Sequence, residues 1–147
     1  MTTVKQILAI KQSNIYAVKS TDSITAALRM MKNNRVRAIL VIDSSKLTGI
    51  ISQGDCAIKV LLEKKDPDLV QVSEIMTLSP LVVDESFTSE QCMSIIVGKR
   101  VRHLPVISNQ VVVGVISVGD LVGDIIRNQV SQIEFLETYI KGHGSSY

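Results

Sequence analysis

The sequence predicts an α+β fold in which two copies of a β-α-β-β-α unit pack together as one pseudo-symmetric module. The chain matches itself at an offset of 65 residues, and ten of 21 positions are identical between 35–55 and 100–120. Unrelated segments of ordinary composition share roughly one or two identities over such a window. Hydrophobic residues make up 46% of the 147 residues, which is enough for a core. A single unit of about 50 residues buries too little surface to be stable alone. The two copies are therefore expected to need each other.

Each copy opens with a short extended segment, at Val18 and at 81–83. Residues 21–23 and 84–86 follow with Thr, Asp, Glu and Ser side chains, whose oxygens can cap the start of a helix. Residues 33–34 and 98–99 are expected to end these helices. Apolar residues recur between these limits at the spacing of one helix face, and they are Ile24, Ala27, Leu28 and Met31 in the first copy and Cys92, Met93, Ile96 and Val97 in the second.

Two apolar strands come next in each copy, at 38–42 and 47–51 and again at 104–107 and 111–116. Their connections have hairpin length and composition. A second helix is expected to start near Asp55 and near Asp120. The charged, proline-containing stretch 63–68 predicts an exposed loop between the copies.

These features assign the first repeat to 8–62 and the second to 72–127. Ile133, Leu136 and Ile140 keep a helical spacing, which predicts one more helix at 128–141. Residues 142–147 are expected to form a frayed tail.

The best-matched stretch joins the last strand of each copy to its second helix. It reads Gly-Ile-Ile-Ser-Gln-Gly-Asp at 49–55 and Gly-Val-Ile-Ser-Val-Gly-Asp at 114–120. A serine three residues before an acid is a capping box, which by itself explains both residues. A second interpretation adds an anionic ligand, because a helix N-terminus presents free N–H groups. Gly54 and Gly119 would let the backbone approach that ligand. The carboxylate can accept hydrogen bonds from a vicinal diol, as acids do in nucleotide-binding folds.

Together these residues resemble a tandem pair of CBS domains, also called a Bateman module. The resemblance rests on the duplicated unit, on the two Gly-h-h-Ser-x-Gly-Asp stretches (h is apolar), and on Arg-Val-Arg-His-Leu-Pro-Val at 100–106, and it covers about 8–127. It implies two clefts between the copies that bind adenosine-containing ligands: AMP, ADP, ATP, NAD or S-adenosylmethionine. AMP, ATP or NAD is expected ahead of S-adenosylmethionine. Stand-alone pairs of this family commonly dimerise, so a homodimer is expected.

The resemblance also implies roles for individual residues. Asp120 and Asp55 would hold the ribose hydroxyls, with Ser117 and Ser52 beside them. Main-chain groups near Tyr16 or Leu81 would read the adenine edge, and apolar Val115 or Ile50 would cover its face. Phosphates would meet the planar guanidinium groups of two arginines and a titratable histidine, namely Arg37, Arg102 and His103. The complete set of candidate nucleotide-binding residues is Asn14, Tyr16, Arg37, Ala38, Val115, Ser117, Gly119 and Asp120 for one cleft and Ile50, Ser52, Gly54, Asp55, Ser79, Pro80, Leu81, Arg102 and His103 for the other.

Other interpretations of several of these residues stay open. His103 could be a packed core histidine, and Tyr16 could either stack on adenine or close the edge of the core. The first copy has Arg-Ala-Ile-Leu at 37–40 where the second has Arg-His-Leu-Pro at 102–105, and it lacks a counterpart of Pro80. The two clefts are therefore not expected to be equivalent. Four arginines could instead lie on a strand face turned to water, namely Arg35, Arg37, Arg100 and Arg102.

Composition and motifs narrow the function further. The net charge of +2 argues against a nucleic-acid partner, which would need a dense basic stripe. No apolar run is long enough to span a bilayer, and the N-terminus lacks the pattern of a signal peptide. Cys56 and Cys92 are too few for a disulfide framework or a zinc site, and they are expected to be buried, reduced thiols in a cytoplasmic protein. No set of nucleophile, base and orienting acid assembles, so no catalytic or metal site is expected.

The sequence thus predicts a non-catalytic regulatory module. It would bind an adenine nucleotide and act on an unidentified protein through a conformational or oligomeric change. The alternative is a ligand-free structural module that recruits a partner enzyme through its dimer face or its C-terminal helix.

Overall fold

The computed structural model of the chain describes residues 1–12 and 14–144. Its helices are α1 Val4–Lys11, α2 Ile24–Asn34, α3 Gln53–Cys56, α4 Ser89–Lys99 and α5 Val118–Gly144. A π-helical turn, Ala57–Leu61, continues α3, and a 3₁₀ turn covers Val72–Glu74. The strands are β1 Ala17–Val18, β2 Ala38–Asp43, β3 Lys46–Ser52, β4 Thr77–Leu78, β5 Val83–Asp84, β6 His103–Ser108 and β7 Val111–Ser117. The order β-α-β-β-α occurs twice, which confirms the predicted α+β class and its two repeats.

The two repeats build two small sheets with the same internal arrangement. One sheet has the order β1-β2-β3-β4 and the other β5-β6-β7. In both, the opening strand runs parallel to the next strand, which then pairs with its successor as an antiparallel hairpin. Ala38 pairs with Ser52 and His103 with Ser117. The hairpin register therefore places the first residue of β2 or β6 against the serine of the motif.

Helix α1 and strand β4 were not predicted, and both segments cross between the repeats. Thr3 caps α1 in a reciprocal box with Gln6. Val4 and Ile7 of α1 precede the first repeat, yet they are buried in the core of the second. Conversely, the core of the first repeat includes Val70, just before the second repeat, and Val72 and Ile75 at its start. The core of each repeat is thus completed by the N-terminal segment of the other, in agreement with the expectation that the two copies need each other.

The predicted cap and buried face of the first helix are correct in the first repeat and partly wrong in the second. Ser23 caps α2 as predicted, but α4 is capped by Thr88 rather than by 84–86. Asp84 is unavailable as a cap because it ends β5 and accepts the N–H of Ser86. Val97 was expected on the buried stripe and is 69% exposed. It borders a groove between α4 and α5 instead, because the core face of α4 is centred on Cys92 and Ile96.

The predicted separate helix at 128–141 is wrong, because α5 runs without a break from Val118 to Gly144. The predicted tail begins too early for the same reason, since Gly142 lies in the helix, while 145–147 fall outside the described residues. Within the described part of the chain, none of the helices combines the length and apolar character needed to cross a membrane.

Both cysteines are free and buried, as predicted. Burial raises the pKa of the Cys56 thiol to about 11, and the neighbouring charge of Asp55 adds to the effect. Burial also raises the pKa of Cys92.

Candidate functional site

Two cavities lie between the repeats, and each is named by the carboxylate on its wall. The Asp120 cleft has a volume of about 520 Å³. Of the predicted residues, it is lined by Asn14, Tyr16, Arg37, Ala38, Arg102, His103, Val115, Ser117, Gly119 and Asp120. The Asp55 cleft has a volume of about 750 Å³. Its predicted lining residues are Arg37, Ala38, Ile50, Ser52, Gly54, Asp55, Ser79, Pro80, Leu81, Arg102 and His103.

The structure therefore brings every candidate residue to one cavity or both. Their role in nucleotide binding stays a prediction. Sequence reasoning missed two lysines, which are Lys11 in the Asp120 cleft and Lys99 in the Asp55 cleft.

The motif of the second repeat forms a capping box at the start of α5. The Ser117 N–H donates to Asp120 Oδ2 at 2.8 Å, and the Asp120 N–H donates to Ser117 Oγ at 3.2 Å. Lys11 adds a third interaction, since its Nζ lies 2.8 Å from the same Oδ2 and 2.8 Å from the Val115 carbonyl oxygen. The Asp120 side chain is 18% exposed.

The motif of the first repeat forms the same box at the start of α3. The Ser52 N–H donates to Asp55 Oδ2 at 3.0 Å, and the Asp55 N–H donates to Ser52 Oγ at 3.1 Å. A lysine lies near this carboxylate too, but less closely, with Lys59 Nζ 3.5 Å from Asp55 Oδ1. The capping interpretation of both motifs is thus confirmed. It leaves room for a ligand, because both carboxylates also face a cavity.

A main-chain hydrogen bond joins the start of α3 to the residue before β2, and another joins the start of α5 to the residue before β6. The Gln53 N–H donates to the Arg37 carbonyl at 2.9 Å, and the Val118 N–H donates to the Arg102 carbonyl at 3.1 Å. Both arginines are exposed, and both line the two cavities together with Ala38 and His103. The two clefts therefore share a basic wall at the centre of the molecule.

Arg35 and Arg100 precede the strands rather than lying on them. Both adopt the left-handed conformation, with φ of 54° that ends α2 and α4. Arg35 lines the Asp120 cleft and Arg100 lines the Asp55 cleft. The strand-face alternative is wrong for these two residues, because the helix ends and the chain turns at each of them. It is wrong for Arg37 and Arg102 as well, since each lies one residue before its strand begins.

His103 is half-buried in the shared wall. Burial lowers its pKa, and the positive charge of Lys11 lowers it further, while Asp120 opposes the change and Arg102 adds to it. The neutral imidazole is therefore favoured, so that the histidine can offer one donor and one acceptor to a ligand.

The glycines of the two motifs differ in how much space surrounds them for an added methyl group. A methyl group on Gly54 or Gly119 would come no closer than 3.7 Å to the Oγ atom of Ser52 or Ser117. The fold itself does not demand glycine there, which agrees with the idea that these positions keep space for a ligand. Gly49 and Gly114 lie under Met76 and Leu8, so at these two positions the fold does demand glycine.

A comparison of the two copies could have found Lys11. Leu8 and Met76 are structural counterparts, because each covers the equivalent glycine of the other repeat, and they are 68 residues apart. Val18 and Val83 are 65 residues apart. The first copy therefore carries three additional residues between these points, and Lys11 lies in that longer stretch. Among the residues that the structure describes, no group of three His, Cys, Asp or Glu side chains could hold a metal ion.

Comparison with known proteins agrees with this architecture. The CBS domain family model matches the chain twice, over 4–61 and 72–127. Among solved structures, the CBS-domain protein NE2398 is 41% identical with a TM-score of 0.80, and the match covers 84% of this chain and 97% of that one. A protein with CBS domains from Burkholderia ambifaria MC40-6 is 36% identical with a TM-score of 0.83, covering 87% of this chain and 96% of that one.

A more distant structure with the same fold is the CBS domain pair of protein MJ0100, solved in complex with 5′-methylthioadenosine and S-adenosyl-L-methionine. It is 24% identical with a TM-score of 0.76, and the match covers 88% of this chain and 98% of that one.

The first curated relatives are longer than this chain. The mitochondrial CBS domain-containing protein CBSX3 of Arabidopsis thaliana is 25% identical over 126 residues, which cover 82% of this chain and 61% of the relative. The match covers 24% of another Arabidopsis relative. With two family matches that fall on the two observed repeats, the chain belongs to the CBS-domain family as a tandem CBS pair.

Proposed function

We propose that this chain is a non-catalytic regulatory module that binds adenine nucleotides, AMP, ADP, ATP or NAD, in the clefts between its two CBS repeats. One observation carries the proposal. The lining of each cleft combines a carboxylate fixed at a helix start with the two shared arginines, Arg37 and Arg102. This arrangement suits a ligand with a diol at one end and phosphate at the other.

The chemistry of the walls fits each part of such a ligand. A carboxylate accepts hydrogen bonds from ribose hydroxyls, and a guanidinium group donates two parallel hydrogen bonds to a phosphate. Val115 and Ile50 supply apolar surface in the Asp120 cleft and the Asp55 cleft respectively. The MJ0100 pair, which shares the fold, was solved with two adenosine derivatives. That resemblance supports an adenosine ligand without selecting one.

Signalling would follow from the position of the shared wall. Arg37 belongs to the first repeat and Arg102 to the second, so a phosphate held by both contacts both repeats. A ligand that binds one relative arrangement of the repeats more tightly shifts the population toward it. The proposed output is a change in conformation or in assembly that an unidentified partner protein detects.

Calorimetry on the full chain with AMP, ATP, NAD and S-adenosylmethionine tests the proposal. We expect at least one of the first three to bind, Asp55→Ala and Asp120→Ala each to remove binding at one cleft, and the double variant to remove both. Glu134→Ala is the matched control, because this acid is exposed on α5 and lines neither cleft. The proposal fails if the unmodified chain binds none of the four at millimolar concentration.

A second candidate function is suggested by the exposed apolar face of α5. Ile126, Ile133 and Ile140 recur every seven residues, Leu136 lies between the last two, and all four are more than half exposed. Apolar residues at such a spacing form a stripe along one face of the helix, which can pack against another helix. The face therefore supports the proposed homodimer and equally supports the alternative of a ligand-free module that recruits a partner enzyme.

The two candidates differ in a simple measurement. A ligand-free module keeps its melting temperature in saturating nucleotide, whereas a nucleotide-binding module melts higher because the ligand stabilises the folded state. Sedimentation of the chain and of Ile133→Asp tests the homodimer, since a buried aspartate would separate the helices. The cytoplasmic location expected from the sequence stays a prediction.

A further inference from the structure

We propose that Lys11 sets the ligand preference of the Asp120 cleft, making it insensitive to the ribose 2′-hydroxyl, and that the Asp55 cleft is the ribose-selective site. This inference rests on the proposed nucleotide-binding function and deepens it. It assigns different ligand requirements to two clefts whose motifs have the same sequence pattern.

The argument begins with the acceptor capacity of a carboxylate. Each carboxylate oxygen can accept two hydrogen bonds, and a vicinal diol is held best when both oxygens are available. Asp120 Oδ2 already accepts from the Ser117 N–H at 2.8 Å and from Lys11 Nζ at 2.8 Å. Both of its acceptor positions are in use, so Oδ1 is the oxygen left for a ligand. A vicinal diol places one hydroxyl on each carboxylate oxygen, so a carboxylate whose Oδ2 is occupied holds one of the two hydroxyls well and the other poorly.

The carboxylate of Asp55 has more free acceptor positions than that of Asp120. Its Oδ2 accepts the Ser52 N–H at 3.0 Å and keeps a second acceptor position. Lys59 Nζ lies 3.5 Å from Oδ1, which is longer than a direct hydrogen bond, and its side chain is 47% exposed. Lys59 donates instead to the Ile75 carbonyl at 3.1 Å. Both oxygens of Asp55 can therefore turn to a diol.

Lys11 is held in place from two sides. Its ammonium group also donates to the Val115 carbonyl at 2.8 Å, and its side chain is only 26% exposed. Lys11 is the last residue of α1, and it lies in the stretch where the first copy has three additional residues. The second copy has strand β4 in the corresponding stretch. The difference between the clefts is therefore built into the backbone.

The same lysine adds a fixed positive charge to the Asp120 cleft. Arg35, Arg37 and Arg102 already line this cavity. With its carboxylate neutralised by Lys11, the cleft offers mainly cations to a ligand. Its affinity should therefore depend less on the ribose 2′-hydroxyl than the affinity of the Asp55 cleft does.

The experiment compares adenosine with 2′-deoxyadenosine by calorimetry on the full chain, since neither ligand carries phosphate. Asp120→Asn leaves the Asp55 cleft as the competent site, and Asp55→Asn leaves the Asp120 cleft; asparagine keeps an oxygen that can still cap the helix. We expect the Asp55 cleft to prefer adenosine by about tenfold, the effect of one hydrogen bond to a charged group. The Asp120 cleft should discriminate by less than about threefold.

Removal of the lysine should restore discrimination. In the Asp55→Asn background, Lys11→Met should raise the preference for adenosine to about tenfold, because Oδ2 regains an acceptor position. Lys59→Met in the Asp120→Asn background is the matched control, and it should change the ratio by less than about twofold. Lys11→Ala serves as a second variant if Lys11→Met lowers the unfolding midpoint.

The outcomes separate this inference from the proposed function. If both clefts show the same ratio, or if Lys11→Met leaves the ratio of the Asp120 cleft unchanged, the role of Lys11 is refuted while nucleotide binding stands. If neither adenosine nor AMP binds any form of the chain, the proposed function itself fails.

Discussion

Leu8 in helix α1 covers Gly114 in strand β7 so closely that a methyl group on the glycine would lie 2.6 Å from Leu8 Cδ2. Met76 covers Gly49 in strand β3 in the same way, where the methyl group would lie 2.7 Å from the sulfur atom and 2.8 Å from the Thr77 carbonyl oxygen. Each contact joins a residue near the start of one repeat to a strand of the other. These two contacts hold the module together beside its clefts, and they lead to the first prediction.

Gly114→Ala and Gly49→Ala should both destabilise the chain, by about 1–3 kcal/mol, because the added methyl overpacks a filled interface. Gly49→Ala should cost more, since backbone as well as a side chain stands in the way. Urea denaturation of the full chain measures both effects. Gly98→Ala in α4 is the control: outside its own stretch of helix, no atom lies within 4 Å of the added methyl, and a gain of about 0.5–1 kcal/mol is expected. Equal stability of all three variants would contradict the packing argument.

Helix α1 should matter for stability through one face only. Ile7 is 1% exposed in the core of the second repeat, and Ile7→Ala should cost about 2–5 kcal/mol because it leaves a cavity. Ile10 lies on the same helix and is 56% exposed, so Ile10→Ala should stay within about 0.5 kcal/mol of the unmodified chain. Similar losses in both variants, measured by denaturant unfolding, would mean that α1 does not pack as described.

His103 should make stability depend on pH. Its pKa is lowered in the folded chain, mainly by burial and next by the charge of Lys11, from the usual 6.5. The unfolded chain therefore binds this proton more readily, and stability present above pH 6.5 is lost as pH falls through the folded pKa. Between about pH 7.5 and pH 5, His103→Asn should lose less unfolding free energy than the unmodified chain. Parallel curves for the two proteins would contradict this prediction.

The thiols of the two cysteines should be unreactive in the folded chain. Burial is the main cause of the raised pKa of both thiols, which is about 11 for Cys56. Because the thiolate is the reactive form, a disulfide reagent at about pH 8 should modify neither residue within the time needed to modify a free thiol. Both should react at once in strong denaturant. Mass spectrometry after labelling identifies any modified cysteine. Rapid modification of either cysteine in the folded chain would contradict the prediction, because it would mean that the thiol is accessible to the reagent.

Residue patterns were sufficient for the repeated parts of the molecule. The hairpins β2-β3 and β6-β7 and the helix starts at the two motifs depend on local chemistry, namely apolar runs, short turns and serine–aspartate capping. The same local rules misplaced the cap of α4, because Asp84 and Thr88 are both good caps and only the end of β5 decides between them. They also divided α5 in two, since nothing in its exposed stretch distinguishes a continued helix from a new one.

The sequence by itself determined the duplication and the α+β class, because both follow from a repeated local pattern. The residues expected in the two clefts followed from the resemblance of that pattern to the CBS family. Only the tertiary structure decided that α1 belongs to the core of the second repeat, that Arg37 and Arg102 serve both cavities, and that Lys11 lies against Asp120. These relationships join residues up to 109 positions apart. Packing between the repeats sets such distances, and no local pattern of side chains encodes them.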